Sequence, residues 1–241
     1  MVNYDCDMAT INDQKILNYV SSDGDVYILG NFDDTISQHV VPAFKQLIEQ
    51  KAKERDSFIT IFINSPGGYC HELYNMLSMI DLAHSRGIGI VTVVMGRAYS
   101  CGSMLAIHGD HRVMYKYATH IIHLGNTGTA GMTTEKQINR EMTAMKNHFA
   151  NIRKIYKEHT KLPAKELEEA LTDDSYYLDA EQCLKYGICD EILGYTEEQH
   201  EKIINNDKKD LKKKNEKKKV PLKKKENKKQ KQILLENNGE N

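Results

Sequence analysis

Three short apolar runs in the first hundred residues are each followed by turn residues, and they predict buried β-strands. The runs cover Asp25–Leu29, Phe58–Ile63 and Ile90–Met95, and they end at Gly30, at Asn64-Ser-Pro-Gly-Gly68 and at Gly96. Short, nearly continuous apolar runs bounded in this way are typical of strands that are covered on both faces.

The stretches between these strands have the periodicity of helices. Apolar side chains recur every three or four residues over Ile36–Arg55 and again over Leu73–Ala83. Strands that alternate with helices predict an α/β fold with a parallel sheet.

Beyond residue 110 the pattern predicts two further strands, at Val113–Tyr117 and Ala118–Leu124, and then a long polar helix over Thr133–Thr160. The apolar residues of that helix form a single stripe, comprising Met142, Met145, Phe149, Ile152 and Ile155. Such a stripe is as typical of a surface helix as of an arm that packs on another subunit. A short helix at Ala180–Tyr186 and a last apolar run at Ile188–Leu193 complete the folded part.

Residues 205–241 contain few apolar side chains, so we expect a folded domain over residues 1–204 and a disordered tail. Residues 207–241 hold fourteen Lys and six acidic side chains, a charge of +8, whereas the rest of the chain carries −9. The chain is thus an acidic body with a basic tail. Lysine clusters attract nucleic acid or acidic proteins, and the simpler interpretation is a solubilising extension.

Several functional classes are excluded by what the chain lacks. It has no apolar run long enough for a transmembrane helix, and Met1–Ile16 is too polar for a secretory signal. Its five cysteines are scattered without a CxxC pair, so neither a metal site nor a disulfide framework is indicated. The chain has no GxxxxGK[ST] motif for ATP, and no cofactor is predicted. We expect a reducing, cytoplasmic location.

Ser100 stands where a predicted strand gives way to a small-residue helix, in Gly96-Arg-Ala-Tyr-Ser-Cys-Gly102. Backbone N–H groups at a helix start lack intrahelical acceptors and favour negative charge, so a nucleophile and an oxyanion hole can be built there. The simpler interpretation is a serine that caps the helix.

The Gly67-Gly68 turn follows the preceding strand, and glycines permit close approach of backbone N–H groups to a ligand. Ends of neighbouring parallel strands converge, so this turn and Ser100 are expected to face one site. A serine nucleophile needs a base, and His120 and His123 lie on the next strand. Three apart on a strand, they point to opposite faces, and periodicity does not choose between them.

Four segments together resemble the family of ClpP, the proteolytic subunit of Clp proteases, over roughly residues 24–195. They are Ile63-Asn-Ser-Pro-Gly-Gly68, Met95-Gly-Arg-Ala-Tyr-Ser-Cys-Gly102, Ile121-Ile-His123 and Tyr177–Asp190. The resemblance implies a crotonase-like α/β fold, a spiral of βαβ units with a protruding helical handle at Thr133–Thr160. It also implies a homo-oligomer of two seven-membered rings, in which polypeptides supplied by an AAA+ unfoldase are cleaved.

The resemblance assigns the nucleophile to Ser100, the base to His123 and the oxyanion hole to Gly67, Gly68 and the N–H of Cys101. The family's triad aspartate position, however, holds Ser175, directly after Asp173 and Asp174. A one-residue shift in this loop would bring Asp174 to His123, and we predict Asp174 as the third member. Ser175 in its place would orient the imidazole without stabilising its positive charge.

Two other departures concern substrate and partner. Leu124-Gly125-Asn126 replaces the Gln-Pro that commonly follows the family histidine, so peptide specificity is expected to differ. The segment before Val26 is short, which puts docking of the ATPase in doubt.

Two alternatives to an active peptidase stay open at the level of sequence. The chain could be a ring subunit without activity, if no acid reaches His123. It could be a crotonase-type acyl-CoA enzyme, since that fold shares the oxyanion hole. Its divergence and basic tail would also suit a viral relative that trims capsid proteins.

Overall fold

The predicted parallel sheet is present in the computed structural model, which describes residues 10–11, 14–15, 17–125, 134–172 and 176–205. The strands are β1 (Thr10–Ile11), β2 (Gln14–Lys15), β3 (Asn18–Val20), β4 (Val26–Ile28), β5 (Phe58–Ser65), β6 (Gly89–Tyr99), β7 (His111–Tyr115), β8 (Thr119–Ile122), β9 (Tyr176–Asp179) and β10 (Glu191–Leu193). The main sheet has the order β10-β7-β6-β5-β4-β3, with β8 on β6 and β9 on β8. Its pairs are parallel except β3 on β4 and β9 on β8, and β1 and β2 form a separate antiparallel pair.

Helices connect the parallel strands, so that β4 to β7 lie side by side in chain order. The helices are α1 (Val41–Lys51), α2 (Cys70–Ser85), α3 (Cys101–Ala106), α4 (Glu135–His159), α5 (Ala164–Thr172), α6 (Ala180–Lys185) and α7 (197–205). Helix α2 packs against α1, α3 and β6, and its Leu73, Met76 and Ile80 are buried there. This succession of βαβ units with a protruding helix is the α/β architecture expected from the sequence.

The strand predicted at Ile90–Met95 is longer than expected, because it changes partner along its length. Residues 91–94 of β6 pair with β7, and Arg97–Tyr99 pair with Thr119–Ile121 of β8. Gly96 therefore lies within the strand and does not end it. The second partner satisfies backbone groups that a turn would have left to solvent.

The helix predicted over Ile36–Arg55 is broken in two. Ile36–Val40 is a π-helical turn, and α1 follows it and ends at Lys51. Pro42 lies in the first turn of α1 and has no N–H to donate to the preceding turn, which accounts for the irregular start. Helix α5 and strand β9 were not predicted.

The long helix expected over Thr133–Thr160 is confirmed as α4. A capping box at Thr134 and Gln137 starts it, and its C-terminal part is held by buried Ile152 and Tyr156. Its first half is exposed, including Met142.

The described residues 196–205 belong to a second unit, in which α7 begins with reciprocal hydrogen bonds between Thr196 and Gln199. The disorder predicted for residues 205–241 concerns residues outside the described ranges, apart from residue 205, which ends α7. No helix within the described ranges is both long and apolar enough to cross a membrane.

Candidate active site

The change of partner along β6 brings Ser100 close to the strand that carries the two histidines. Tyr99 pairs with Ile121, and the Ser100 N–H donates to the Ile121 carbonyl at 3.2 Å. Ser100 and His123 therefore leave the sheet at the same edge, on neighbouring parallel strands about 4.8 Å apart.

Ser100 has a backbone conformation that L-residues rarely adopt, with φ +55° and ψ −117°. Asp56 is the only other non-glycine residue with positive φ among those the structure describes. Ser100 occupies the position before α3, yet its side chain makes no capping hydrogen bond. Ser100 is thus the N-cap of α3 by position, but its hydroxyl does not cap the helix. A strained strand-to-helix turn that presents a serine is the geometry of a nucleophile elbow.

The Gly67-Gly68 turn packs so closely on its neighbours that only glycine fits. Gly67 has φ +98°, and a Cβ there would lie 2.6 Å from the Cβ of Ser100. Gly68 has φ +149°, and the backbone of Phe32 occupies the place of its side chain. The Phe32 N–H donates to the Gly67 carbonyl at 2.9 Å, which ties the turn to the loop after β4.

Ser65 holds the Gly67-Gly68 turn in place through its hydroxyl, a role that was not predicted from the sequence. Its buried hydroxyl donates to the Gly30 carbonyl at 2.6 Å and accepts from the Gly67 N–H at 3.1 Å. Because the Gly67 N–H is engaged, the candidate oxyanion donors are the N–H groups of Gly68 and of Cys101, the first residue of α3.

The two histidines of the β8 region face different surroundings. His120 is fully buried, and its Nε2 lies 2.6 Å from the Ser103 hydroxyl, which lies 2.6 Å from the Tyr156 hydroxyl. Among the described residues its Nδ1 has no hydrogen-bond partner, and burial lowers its pKa to about 3. This Ser–His pair is closed to solvent, so it supports the core.

His123, in contrast, is half-buried and lines a cavity of about 290 Å³ together with Ser100 and Gly68. The remaining lining comes from Pro66, Cys70, Met104, Leu124, Gly125, His148, Phe149 and Ile152. A pocket with an apolar lining and a few convergent polar groups is the usual form of a small binding site.

Cys70 and His148 were not recognised from the sequence as site residues. Cys70 follows the glycine turn by two positions, which is a weak signal of proximity. His148 belongs to α4, and only the docking of that helix on the body brings it to the cavity.

Asp173, Asp174 and Ser175 lie outside the described residues. The structure does describe where the chain resumes after them: Tyr176, at the start of β9, pairs with Ile122, the residue before His123.

Asp34, His71 and Glu72 place possible metal-ligand atoms within 4.8 Å of one another. The Glu72 carboxylate already accepts hydrogen bonds from Ser37 and Asn75, and the other two side chains are exposed. This group carries no metal proposal.

Comparison with known proteins agrees with this geometry. The family model described as Clp protease matches residues 9–196. The chain is 30% identical over 156 residues to the ATP-dependent Clp protease proteolytic subunit of Deinococcus radiodurans, which covers 64% of this chain and 73% of that protein. It is 27% identical over 174 residues to the subunit of the same name from Streptococcus mutans, covering 71% and 85%.

The match spans the glycine turn, the Ser100 segment and β8, and it does not support the acyl-CoA alternative. The resemblance found in the sequence and the predicted class of enzyme, a serine peptidase of the ClpP type, are confirmed. The chain therefore belongs to the Clp protease family.

Proposed function

We propose that the chain is a serine endopeptidase in which Ser100 is the nucleophile and His123 the general base. The observation that carries this proposal is the strained backbone of Ser100 at a cavity that His123 and Gly68 also line. Such a backbone conformation costs about 1–3 kcal/mol, and residues that adopt it are concentrated at functional sites.

In the proposed reaction, His123 accepts the proton of the Ser100 hydroxyl as Ser100 attacks the peptide carbonyl. The backbone N–H groups of Gly68 and Cys101 then stabilise the oxyanion. His123 delivers its proton to the leaving amine, and water releases the acyl group from Ser100 by the reverse sequence.

Asp174 is proposed as the group that orients His123 and stabilises its protonated form. The support is the pairing of Tyr176 with Ile122, because it brings the chain that enters β9 to the end of β8 from which His123 projects.

The proposed substrates are unfolded polypeptides, cleaved inside a ring-forming homo-oligomer that an AAA+ unfoldase feeds. The exposed apolar residues Ile138 and Met142 on the first half of α4 support assembly through this helix. Leu124 and Gly125 line the cavity where the family commonly has Gln-Pro, so we propose a peptide specificity of its own. The cytoplasmic location stays a prediction, as does any contact of the lysine-rich tail with nucleic acid.

A fluorophosphonate probe tests the nucleophile, because it labels only an activated serine. We expect the wild type to be labelled and Ser100→Ala and His123→Ala to lose the label, with peptide cleavage by Ser100→Ala reduced at least about 10⁴-fold. Ser103→Ala is the matched control, since it removes a serine hydroxyl that already contacts a histidine in the same region. Label retained by Ser100→Ala and lost by Ser103→Ala would overturn the assignment.

Peptide cleavage and probe labelling together distinguish an enzyme from a ring subunit without activity. Asp174→Asn is expected to lower peptide cleavage by about 10⁴-fold, and Ser175→Ala is expected to lower it less. The opposite ranking would give the third role to Ser175. Absence of label in protein that light scattering shows to be assembled would favour the structural subunit.

A further inference from the structure

Two cysteine thiols meet at the wall of the cavity that contains Ser100. The sulfur atoms of Cys70 and Cys101 lie 3.7 Å apart, and both thiols are free. Cys70 begins α2 and lines the cavity, whereas Cys101 begins α3 and is completely buried. One sulfur is therefore open to a small oxidant, and the second lies within reach behind it.

The surroundings make the two thiols chemically unequal. The hydrogen bond with Cys101 lowers the pKa of Cys70, and His148 and His71 lower it further, against the opposing effect of burial. The hydrogen bond with Cys70 raises the pKa of Cys101, as does burial. A thiolate is the reactive form of cysteine, so Cys70 is the sulfur that an oxidant attacks first.

Hydrogen bonds to neighbouring groups hold Cys101 and His148 in place around the Cys70 sulfur. The Cys101 thiol donates to the Gly68 carbonyl at 3.2 Å, and the His148 ring shares a hydrogen bond of 3.0 Å with the Tyr74 hydroxyl. His148 also lines the cavity, and its ring lies close enough to the Cys70 sulfur to lower the pKa of that thiol.

We propose that Cys70 and Cys101 form a reversible oxidation site for hydroperoxides, and that the disulfide they form switches off the neighbouring Ser100. The Cys70 thiolate attacks a peroxide oxygen, so that an S–O bond forms, the O–O bond breaks, and the departing alkoxide or hydroxide takes up a proton. The Cys101 sulfur then attacks the Cys70 sulfur, the S–O bond breaks, and hydroxide leaves with the Cys101 proton as water. The two thiols are oxidised to one disulfide, and one peroxide is reduced.

Closing this bond alters the candidate oxyanion hole. The sulfur–sulfur distance must shorten from 3.7 Å to about 2 Å, and Cys101 can no longer donate to the Gly68 carbonyl. Cys101 directly follows Ser100, and Gly68 and Cys101 are the two proposed oxyanion donors. The loss of activity rests on the proposed function; the formation of the disulfide does not.

The experiment treats the reduced full-length protein with hydrogen peroxide, blocks the remaining thiols and maps the peptides by mass spectrometry. We expect a peptide pair joined through Cys70 and Cys101, lighter by two hydrogen atoms and separated again by dithiothreitol. Fluorophosphonate labelling of the same samples should fall by about 100-fold on oxidation and recover on reduction, as expected when oxyanion donors are displaced.

Two variants serve as controls. Cys70→Ser should prevent the cross-link and make residual labelling insensitive to peroxide. Cys189→Ala should still form the Cys70–Cys101 cross-link, because the buried Cys189 thiol donates to the Ala180 carbonyl and takes no part in the contact between Cys70 and Cys101.

The proposal is overturned if Cys70 and Cys101 remain free under peroxide, or if Cys70 proceeds to sulfinic acid with no cross-link. It is also overturned if the cross-link forms and labelling does not change. If the reduced protein carries no label from the start, the proposed function fails, and the peptide map alone decides whether the oxidation site exists.

Discussion

At the scale of single residues, the candidate site depends on backbone geometry more than on side-chain chemistry. Ser100 has a positive φ, and the glycine turn opposite it has no room for a Cβ. Sequence reasoning reaches Ser100 through the strand–turn–helix pattern but not its positive φ, because an apolar pattern along the chain carries no information on the backbone angles of a single turn residue. Likewise, alternation separates His120 from His123 without choosing between them. The buried contact of His120 with Ser103 accounts for one histidine, and the cavity for the other.

Gly67→Ala is expected to reduce peptide cleavage by about 100-fold, because the added Cβ would lie 2.6 Å from the Cβ of Ser100 and displace it. Steady-state kinetics should show the loss mainly in kcat. Gly87→Ala is the matched control: Gly87 has φ +74° with open space around it, so only a stability cost of about 1–2 kcal/mol is expected. Equal activity losses in the two variants would contradict the steric argument.

Because His120 is buried, we expect the free energy of unfolding to fall as the pH is lowered. Burial lowers its pKa from 6.5 to about 3, so between these values the unfolded chain binds a proton that the folded chain does not. The contribution of His120 to stability is therefore complete above pH 6.5 and is lost as the pH falls towards 3, at about 1.4 kcal/mol per pH unit.

Urea unfolding of the wild type and of His120→Gln at several pH values measures this effect. The slope of the free energy of unfolding against pH should be smaller in the variant by about 1.4 kcal/mol per pH unit, which corresponds to one proton fewer taken up on unfolding. His108, whose pKa burial lowers to about 4, contributes equally to both proteins and cancels in the comparison. Parallel curves would show that His120 does not titrate in this range.

At the scale of elements, helix α4 has two parts with different surroundings. Its C-terminal part packs Ile152 and Tyr156 into the body and contributes to the cavity wall, whereas Ile138 and Met142 are exposed. The apolar stripe predicted the helix but not which part of it was covered, because a sequence pattern does not show where the body ends. The proximity of His148 and Cys70 was hidden for the same reason, since it arises only when α4 docks.

Met142→Glu is expected to weaken assembly through α4, because it places a charge on the exposed apolar stripe. Light scattering should report a smaller particle than the wild type at the same concentration, with unchanged circular dichroism. Asn147→Glu adds the same charge on the opposite side of the helix, where the residue is also exposed, and should leave the particle size unchanged. An identical particle size in all three proteins would mean that this stripe is not an assembly surface.

At the scale of the whole molecule, the sequence predicted the parallel sheet and the helices that connect it, because strands buried on both faces require continuous apolar runs. It did not predict β9, since Tyr176–Asp179 alternates weakly and lies after a turn-rich segment. The full length of β6 was also missed, because Gly96 and Arg97 resemble turn residues until β8 provides a partner.

The pairing of β6 with two successive partners on one side affects how the protein unfolds. One strand pairs with β5 along one side and with β7 and then β8 along the other, and Ser100 is attached to its end. Local fraying cannot release Ser100 while these ladders hold. The amide of Ser100 should therefore exchange with deuterium only through global unfolding, whereas amides in the exposed half of α4 exchange earlier. We therefore expect the site and the sheet to unfold on heating in one cooperative transition.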